Sequence, residues 1–403
     1  MSDIQLITFS GDDHPGLTAG ITAILAEHDV NVLDIGQAVI HATLSIGILV
    51  EVPDDDHRRE VVGALTVYGQ EKGLRARFSD VTPQSYESWV NAQGRARFIV
   101  TLLARKITAN QLGLVTAAVH RHGLNIDSIN RLSGRIPLGE LPRLSKACVE
   151  FSLRGPLADE AAFRKDLMET ASQLEVDLAF QRDNMYRRNR RLVAFDMDST
   201  LIEAEVIDEL AKAAGVGEQV SAITERAMRG ELDFASSFRE RLALLEGLDE
   251  QALEHIAGTL KVTEGAEHLI DTLKSLGYKT AILSGGFTYF ARFLQQRLGI
   301  DYVYANELDI VDGKLTGKVV GDIVDGDRKA LLLKELAARE GLQLEQVIAV
   351  GDGANDLPML SAAGLGIAFR AKPVVQQSAE QSISTLGLDA ILYLLGISDR
   401  YQR

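Results

Sequence analysis

Apolar residues recur along this chain with two alternating periods, and the order of those periods outlines the architecture. Residues 4–9 read as a strand. After the turn residues Asp13-His14-Pro15-Gly16, positions 17–28 take helical spacing, with Leu17, Ile21, Ile24 and Leu25 on one face. Strands follow over 30–39 and 45–50, a helix over 58–72 and a strand over 74–78, which is the order βαββαβ. Residues 81–95 contain Pro83, Gln84, Ser85, Asn91, Gln93 and Gly94, lose the periodicity and read as a linker. The same order then returns: strand 98–103, helix 109–122, strands 125–132 and 148–153, helix 158–173 and strand 175–180. His28-Asp29-Val30-Asn31-Val32 echoes His122-Gly123-Leu124-Asn125-Ile126 in position, the mark of an internal repeat. The second copy carries additional residues over 135–146, read as a long hairpin loop.

The pattern changes from about residue 191. Short, wholly apolar runs at 192–195, 280–283 and 347–350 have the character of buried parallel strands. Helical stretches separate them, so a βαβ fold with a parallel sheet is expected. Residues 202–261 are long, polar and helical and interrupt the first crossover, which predicts a separate helical cap. Asp312-Gly313 between alternating residues over 306–321 predicts a β-hairpin. Arg182, Arg187, Arg188, Arg190 and Arg191 crowd the junction before this block and read as a solvated connector rather than a nucleic-acid patch. The resulting domain boundaries are 1–82, 95–181 and 185–403, with the cap at about 202–262.

Composition narrows the function classes. The chain has 403 residues, 46% hydrophobic and 25% charged, enough apolar material for several cores. A formal net charge of -15 makes nucleic acid a poor partner; an anionic substrate then needs a locally positive pocket. The lone cysteine, Cys148, allows no intrachain disulfide, is expected on a strand, and fits a reducing compartment. Met1-Ser2-Asp3-Ile4 lacks the basic stretch and apolar run of a signal peptide, and no apolar run approaches the ~20 residues of a membrane span. A cytoplasmic protein without membrane contact is expected. The histidines show no metal spacing; His120 and His122 point to different helix faces.

The chemistry gathers at three strand ends, where open α/β sheets bind ligands. Asp196-Met197-Asp198-Ser199-Thr200 follows the first apolar run, Ser284-Gly285-Gly286 the second, and Gly351-Asp352-Gly353-Ala354-Asn355-Asp356 the third. Alone, each reads as a cap or turn; the three together in this order do not. Phosphoryl transfer needs an in-line nucleophile and positive charge on the phosphate oxygens. A carboxylate can be that nucleophile, and a second one two residues on can move protons. Asp196 and Asp352 are hard oxygen ligands of the kind Mg²⁺ takes. Gly285 and Gly286 let backbone N–H groups approach an anion, and Ser284 adds a hydroxyl.

Phe195-Asp196-Met197-Asp198-Ser199-Thr200-Leu201, Ser284, Lys329 and the Gly351–Asp356 motif resemble the four motifs of the haloacid dehalogenase superfamily phosphatases. Within it, the match is to the phosphoserine phosphatases and covers the third block, about half of the chain. It includes Glu203-Ala204-Glu205-Val206-Ile207-Asp208-Glu209, the stretch 234–245 with Arg239 and Arg241, and Thr263-Glu264-Gly265-Ala266. The resemblance implies O-phospho-L-serine as substrate, Asp196 as nucleophile and Asp198 as acid and base. It implies Mg²⁺ held by Asp196, Asp352 and the backbone carbonyl of Asp198, and phosphate held by Ser284, Gly285, Gly286 and Lys329. Asn355 and Asp356 complete the phosphate and metal surroundings. In the cap, Glu205 is implied to meet the substrate ammonium and Arg241 its carboxylate, with Met228 and Phe234 lining the pocket. On residue type alone, Glu205 and Arg241 are ordinary helix charges.

Both N-terminal repeats resemble ACT domains, modules that often bind amino acids and pair side by side. In the first, Asp13, Gly16 and Leu17 look like the ligand loop, with Asn31 and Asp34 on the following strand. In the second, Arg105-Lys106-Ile107-Thr108 replaces that loop pattern, while Asn125 and Asp127 remain. The expected whole is an α/β protein: a Rossmann-like parallel-sheet phosphatase core with a helical cap, preceded by two α+β ferredoxin-like (ACT) domains. L-serine feedback at the ACT domains and a homodimer are the attendant expectations. Two alternatives stay open: action on another small phosphomonoester, including phosphoryl transfer to a second alcohol, and an amino-acid sensor built on an inactive phosphatase fold.

Overall fold

The computed structural model describes residues 3–92, 94, 96–137, 139 and 144–401. The chain divides into two units, 1–95 and 96–403. In the first, β1 (Asp3–Asp12), α1 (Leu17–Glu27), β2 (Asn31–Ile40), β3 (Thr43–Val52), α2 (Asp55–Glu71) and β4 (Arg75–Val81) form an antiparallel sheet of order β2-β3-β1-β4. Ile7, Phe9, Ile46, Ile48 and Val50 point to one face and pack on Leu17, Ile21, Leu25, Val61 and Leu65 of the helices. The period-2 alternation therefore decides which face is covered. α1 starts after Gly16, whose φ of 93° is open to glycine at little strain. α2 starts at Asp54, whose carboxylate accepts from the Asp56 and His57 amides at 3.0 and 2.9 Å.

The expected linker is instead largely a helix, α3 (Pro83–Asn91). Thr82 caps it by accepting from the Ser85 amide, and Pro83 fills its first turn, where a missing N–H is harmless. Pro83, taken above as a breaker, is with Thr82 a helix-start signal, and the helix lacks a buried face that periodicity could reveal.

The second unit opens with the repeat: β5 (Arg97–Ala104), α4 (Ala109–Arg121), β6 (Asn125–Arg131), β7 (Ala147–Arg154), α5 (Glu160–Leu174) and β8 (Asp177–Arg182), in sheet order β6-β7-β5-β8. Cys148 lies buried on β7. The long hairpin loop expected over 135–146 falls partly outside the described residues. Unlike β1, β5 is buried at every position after Arg97. Helices α4 and α5 cover one face, and the core of the following domain takes Leu103, Cys148 and Ala179 from the other.

Arg182, Arg188 and Arg191 of the connector are exposed, as expected, but Arg187 and Arg190 are not. Arg187 is fully buried and Arg190 nearly so. The Arg187 guanidinium meets Glu150 of β7, and Arg190 donates to the carbonyls of Arg187 and Gly364 at 3.1 and 3.3 Å. Burial first, and then the neighbouring Arg187 charge, bring Arg190 down to about 10. The junction is thus a polar interface filled by arginine.

The third block begins with β9 (Leu192–Phe195). The cap helices α6 (Val206–Ala214), α7 (Gly217–Met228), α8 (Phe234–Ala243) and α9 (Gln251–Thr259) follow. Then come α10 (Ala266–Ser275), β10 (Lys279–Phe287), α11 (Thr288–Leu298), β11 (Tyr302–Val311), β12 (Lys314–Val320), α12 (Gly326–Arg339), β13 (Val347–Gly351), α13 (Leu357–Ala362), β14 (Leu365–Phe369) and β15 (Gln381–Ile383). The seven strands order as β12-β11-β10-β9-β13-β14-β15, parallel except for β12. β11 and β12 are the expected hairpin, turned by Asp312 and Gly313 at φ 51° and 76°.

Candidate functional site

Strand register brings the three motifs together. Phe195 of β9 lies opposite Ile282 of β10 on one side and Val350 of β13 on the other. The next residue, Asp196, donates its backbone N–H to the Val350 carbonyl at 2.8 Å. Asp196 and Asp352 therefore leave adjacent strands at one level, and the Ser284-Gly285-Gly286 segment of β10 flanks Asp196 from the other side. Lys329 of α12 is fully buried, and its Nζ donates to Asp196 Oδ1 and Asp356 Oδ1 at 2.7 Å each. Asp356 also accepts from the Gly353 amide at 2.9 Å, and Thr200 Oγ1 donates to Asp352 Oδ1 at 3.1 Å. Asn355 lies half-buried in the turn between Gly353 and Asp356.

Carboxylate oxygens of Asp196, Asp352 and Asp356 lie within 4.8 Å of one another. Burial first, then Asp356, raises Asp196 to about 7 against the opposing pull of Lys329. Burial, Asp196 and Asp356 raise Asp352 to about 8. Burial would lower Lys329, but Asp196 and Asp356 outweigh it and keep the ammonium charged. Fully ionised, three carboxylates against one lysine would leave an excess of negative charge on hard oxygen donors. That donor set fits a divalent cation of the Mg²⁺ type. The side-chain cluster includes Asp356; the Asp198 carboxylate is engaged elsewhere.

Asp198 turns toward the cap. Its Oδ1 accepts from the Val206 amide at 3.1 Å, and its Oδ2 would lie 2.5 Å from a Cβ placed on Gly286. Burial first, then Glu205 and Asp196, push its carboxyl well above the ordinary range. Ser199, at a left-handed φ of 55°, donates through Oγ to Glu205 Oε1 at 2.7 Å. Burial, followed among the raising causes by Asp208, raises Glu205; the Ser199 bond opposes this. Arg241 of α8 donates to the Ser237 carbonyl at 3.3 Å; burial lowers its pKa, and Asp208, Glu205 and Asp198 counter that. Phe234 closes the cap onto the core: its ring sits where a Cβ on Gly285 would be 2.9 Å away, and it stacks on Phe238. Met228 stands apart at the end of α7, 62% exposed, with Lys372 Nζ 3.8 Å from its sulfur.

Sequence reasoning passed over three residues. Ser199 and Thr200 lie inside a quoted motif, and that adjacency was their signal. Asn306 had none: it is buried on β11, donates to the Gly285 carbonyl and accepts from the Val324 amide at 2.8 Å each, and so fixes the Ser-Gly-Gly segment of β10.

In the first unit the five expected effector residues do not converge. Gly16 and Leu17 start α1, and Asp13 lies just past β1. β2 is parallel in sense to β1, with Asn31 paired to Glu51 and, through it, level with Ile4; Asp12 sits at the far end beside Thr43. At ~3.4 Å per residue, about 30 Å separates the two ends. Asn31 donates to Glu51, and Asp34 accepts from the Ile35 amide.

Comparison with known proteins agrees with this architecture. Residues 190–364 match the haloacid dehalogenase-like hydrolase family, and residues 3–79 and 96–181 each match an ACT domain family. A phosphoserine phosphatase of Streptomyces coelicolor is 40% identical over 98% of this chain and 92% of its own. Phosphoserine phosphatase SerB2 of Mycobacterium tuberculosis is 41% identical over 98% and 93%. Among solved structures, a probable phosphoserine phosphatase from Vibrio cholerae, 34% identical, superposes over 76% of this chain and 88% of its own with a TM-score of 0.59. With matches of this extent spanning all three domains, the chain belongs to the phosphoserine phosphatase family of haloacid dehalogenase-like hydrolases.

Proposed function

We propose that the enzyme hydrolyses O-phospho-L-serine to L-serine and phosphate through an aspartyl-phosphate at Asp196, with Mg²⁺ as cofactor. The observation that carries this reading is the buried Lys329 ammonium shared by Asp196 and Asp356 at the carboxyl ends of β9 and β13, beneath a cap that brings Glu205 and Arg241.

In the first step an Asp196 oxygen attacks phosphorus in line, and the phosphorus–oxygen bond to serine breaks. Asp198 donates its proton to the departing serine oxygen; the raised pKa of its carboxyl supports that role. In the second step Asp198, now a carboxylate, takes a proton from water, and that oxygen attacks phosphorus. Asp196 is released as a carboxylate and phosphate departs. Lys329, Ser284 Oγ and the backbone of Gly285 and Gly286 hold the phosphate oxygens, with Asn355 beside them. When bound by Asp196, Asp352 and the Asp198 carbonyl, Mg²⁺ supplies positive charge against the phosphate. Glu205, oriented by Ser199, meets the substrate ammonium, and Arg241 its carboxylate. Phe234 excludes water.

The test is phosphate release from O-phospho-L-serine with Mg²⁺, beside Asp196→Asn and a panel of other phosphomonoesters. Preferential turnover of phosphoserine, lost in the variant, is expected. Preference for a different ester would refute the substrate, and absence of turnover of any ester would refute the enzyme reading. The reading extends to a homodimer binding L-serine at its ACT domains, because one chain's loop at Asp13 and strand residues Asn31 and Asp34 are too far apart to share a ligand. Calorimetry with L-serine on the full chain should lose one binding event in Asn31→Ala. The single buried thiol Cys148 fits a reducing cytoplasm, and no helix among the described residues is long and apolar enough to cross a membrane.

A further inference from the structure

The chain leaves the core for the cap at Ile202 and returns at Val262, and these two residues form an antiparallel bridge. Two backbone bonds complete the hinge: Glu203 N–H to the Lys261 carbonyl and Thr263 N–H to the Leu201 carbonyl, each 2.9 Å. The hinge is open on one side, where Glu203, Lys261 and Thr263 border a cavity of about 590 Å³. Glu264 follows at once. Its two carboxylate oxygens accept a fork from Arg105 at 2.8 and 2.9 Å, and Oε2 also accepts from Arg370 at 2.8 Å. The other guanidinium nitrogen of Arg370 lies 3.9 Å from Glu203, on the outgoing arm of the hinge. The Arg105 bonds first, and Arg370 after them, hold the Glu264 carboxyl below its ordinary range.

Two features mark these arginines as placed rather than incidental. Arg370 follows β14 with a φ of 46°, a left-handed backbone that a non-glycine residue keeps only when its surroundings enforce it. Arg105 follows β5, in the loop where the second repeat lacks the Asp-x-Pro-Gly pattern of the first. The position that resembles a ligand loop in one repeat is, in the other, a fork on the phosphatase domain; Ser145 Oγ fixes that loop through the Arg105 carbonyl at 2.9 Å.

We propose that Arg105 and Arg370 are positioning residues for the cap: through Glu264 and Glu203 they clamp both arms of its hinge, so the second ACT domain sets the closure that brings Glu205 and Arg241 over the phosphate site. Only the kinetic part of this inference rests on the hydrolysis proposed above. The test uses the full chain with Arg105→Gln, Arg105→Lys and Arg370→Gln, read by hydrogen exchange at the Glu203 and Thr263 amides and by kinetics with O-phospho-L-serine. Both Gln variants should exchange those two amides faster. KM should rise about three- to tenfold, with kcat within about twofold, as expected for losing a charge-assisted fork that touches no reacting atom. Arg105→Lys, which keeps the charge without the fork, should fall between. Should Arg105→Gln fail to fold, Arg370→Gln breaks the clamp from within the phosphatase domain. Wild-type exchange at both amides in the soluble Gln variants would overturn the proposal, as would faster exchange with KM unchanged. If wild type does not turn over phosphoserine at all, the substrate reading fails and the exchange data alone decide the clamp.

Discussion

Replacing Asp352 with asparagine is expected to stabilise the metal-free protein while abolishing turnover. Asp352 is raised from 3.8 to about 8 by burial and then by Asp196 and Asp356. A carboxyl raised on folding binds more protons in the folded than in the unfolded state. Its contribution is therefore fully present below pH ~4 and is lost as pH rises toward 8. At pH 7 the difference amounts to about 4 kcal/mol of lost stability, from ~1.4 kcal/mol per pKa unit. Asparagine has the same shape, keeps an oxygen for the Thr200 hydroxyl and carries no charge. Recovery of about half the penalty, ~2 kcal/mol, would raise Tm by about 4 °C in a unit of this size. The assay is thermal unfolding in EDTA at pH 5 and pH 7. The variant should exceed wild type at pH 7, with a gap that shrinks to less than about half at pH 5, where the ionisation penalty is smaller. Added Mg²⁺ should raise the wild-type Tm by mass action and leave the variant nearly unmoved. A variant less stable than wild type in EDTA, or a gap independent of pH, would refute the claim that these carboxylates repel one another and await a cation.

Other substitutions test other parts of the structure. Glu150→Ala leaves the fully buried Arg187 guanidinium without its carboxylate and should cost about 3–5 kcal/mol in urea unfolding of the second unit, while Glu150→Gln should cost less. Gly286→Ala places a Cβ 2.5 Å from Asp198 Oδ2 and 2.8 Å from the buried Met197 Cε, so both side chains must shift; kcat should fall about a hundredfold in steady-state assays. Ser199→Ala removes the hydroxyl that orients Glu205, so KM for phosphoserine should rise about tenfold, while esters without an ammonium group keep theirs.

Legibility in the sequence divided along a physical line. Residues at the ends of β9, β10 and β13 could be read because buried parallel strands are continuous apolar runs and the chemistry follows each without a gap. Parallel pairing then did the rest: once Phe195 lies between Ile282 and Val350, Asp196, Ser284 and Asp352 must meet. β1 is buried at alternate residues and β5 continuously, whereas only the order of the repeats was legible. What covers the second face of β5 was not, because a run of apolar residues does not name its partner. The same limit explains the arginines. Charged residues in a polar stretch are usually solvated, so Arg187 and Arg190 read as surface; only the opposing Glu150 and the Gly364 carbonyl make them interior contacts. The separation of the effector residues within one chain has a related cause. Asp13 and Asn31 are close in sequence, but the crossover through α1 returns β2 parallel to β1, which sends them to opposite ends of one sheet. Covalent chemistry in this fold is local to strand ends, whereas the contacts that join its domains come from charges far apart in sequence. A variant series that leaves every strand-end residue intact can therefore still change catalysis, through Glu264 and the hinge beside it.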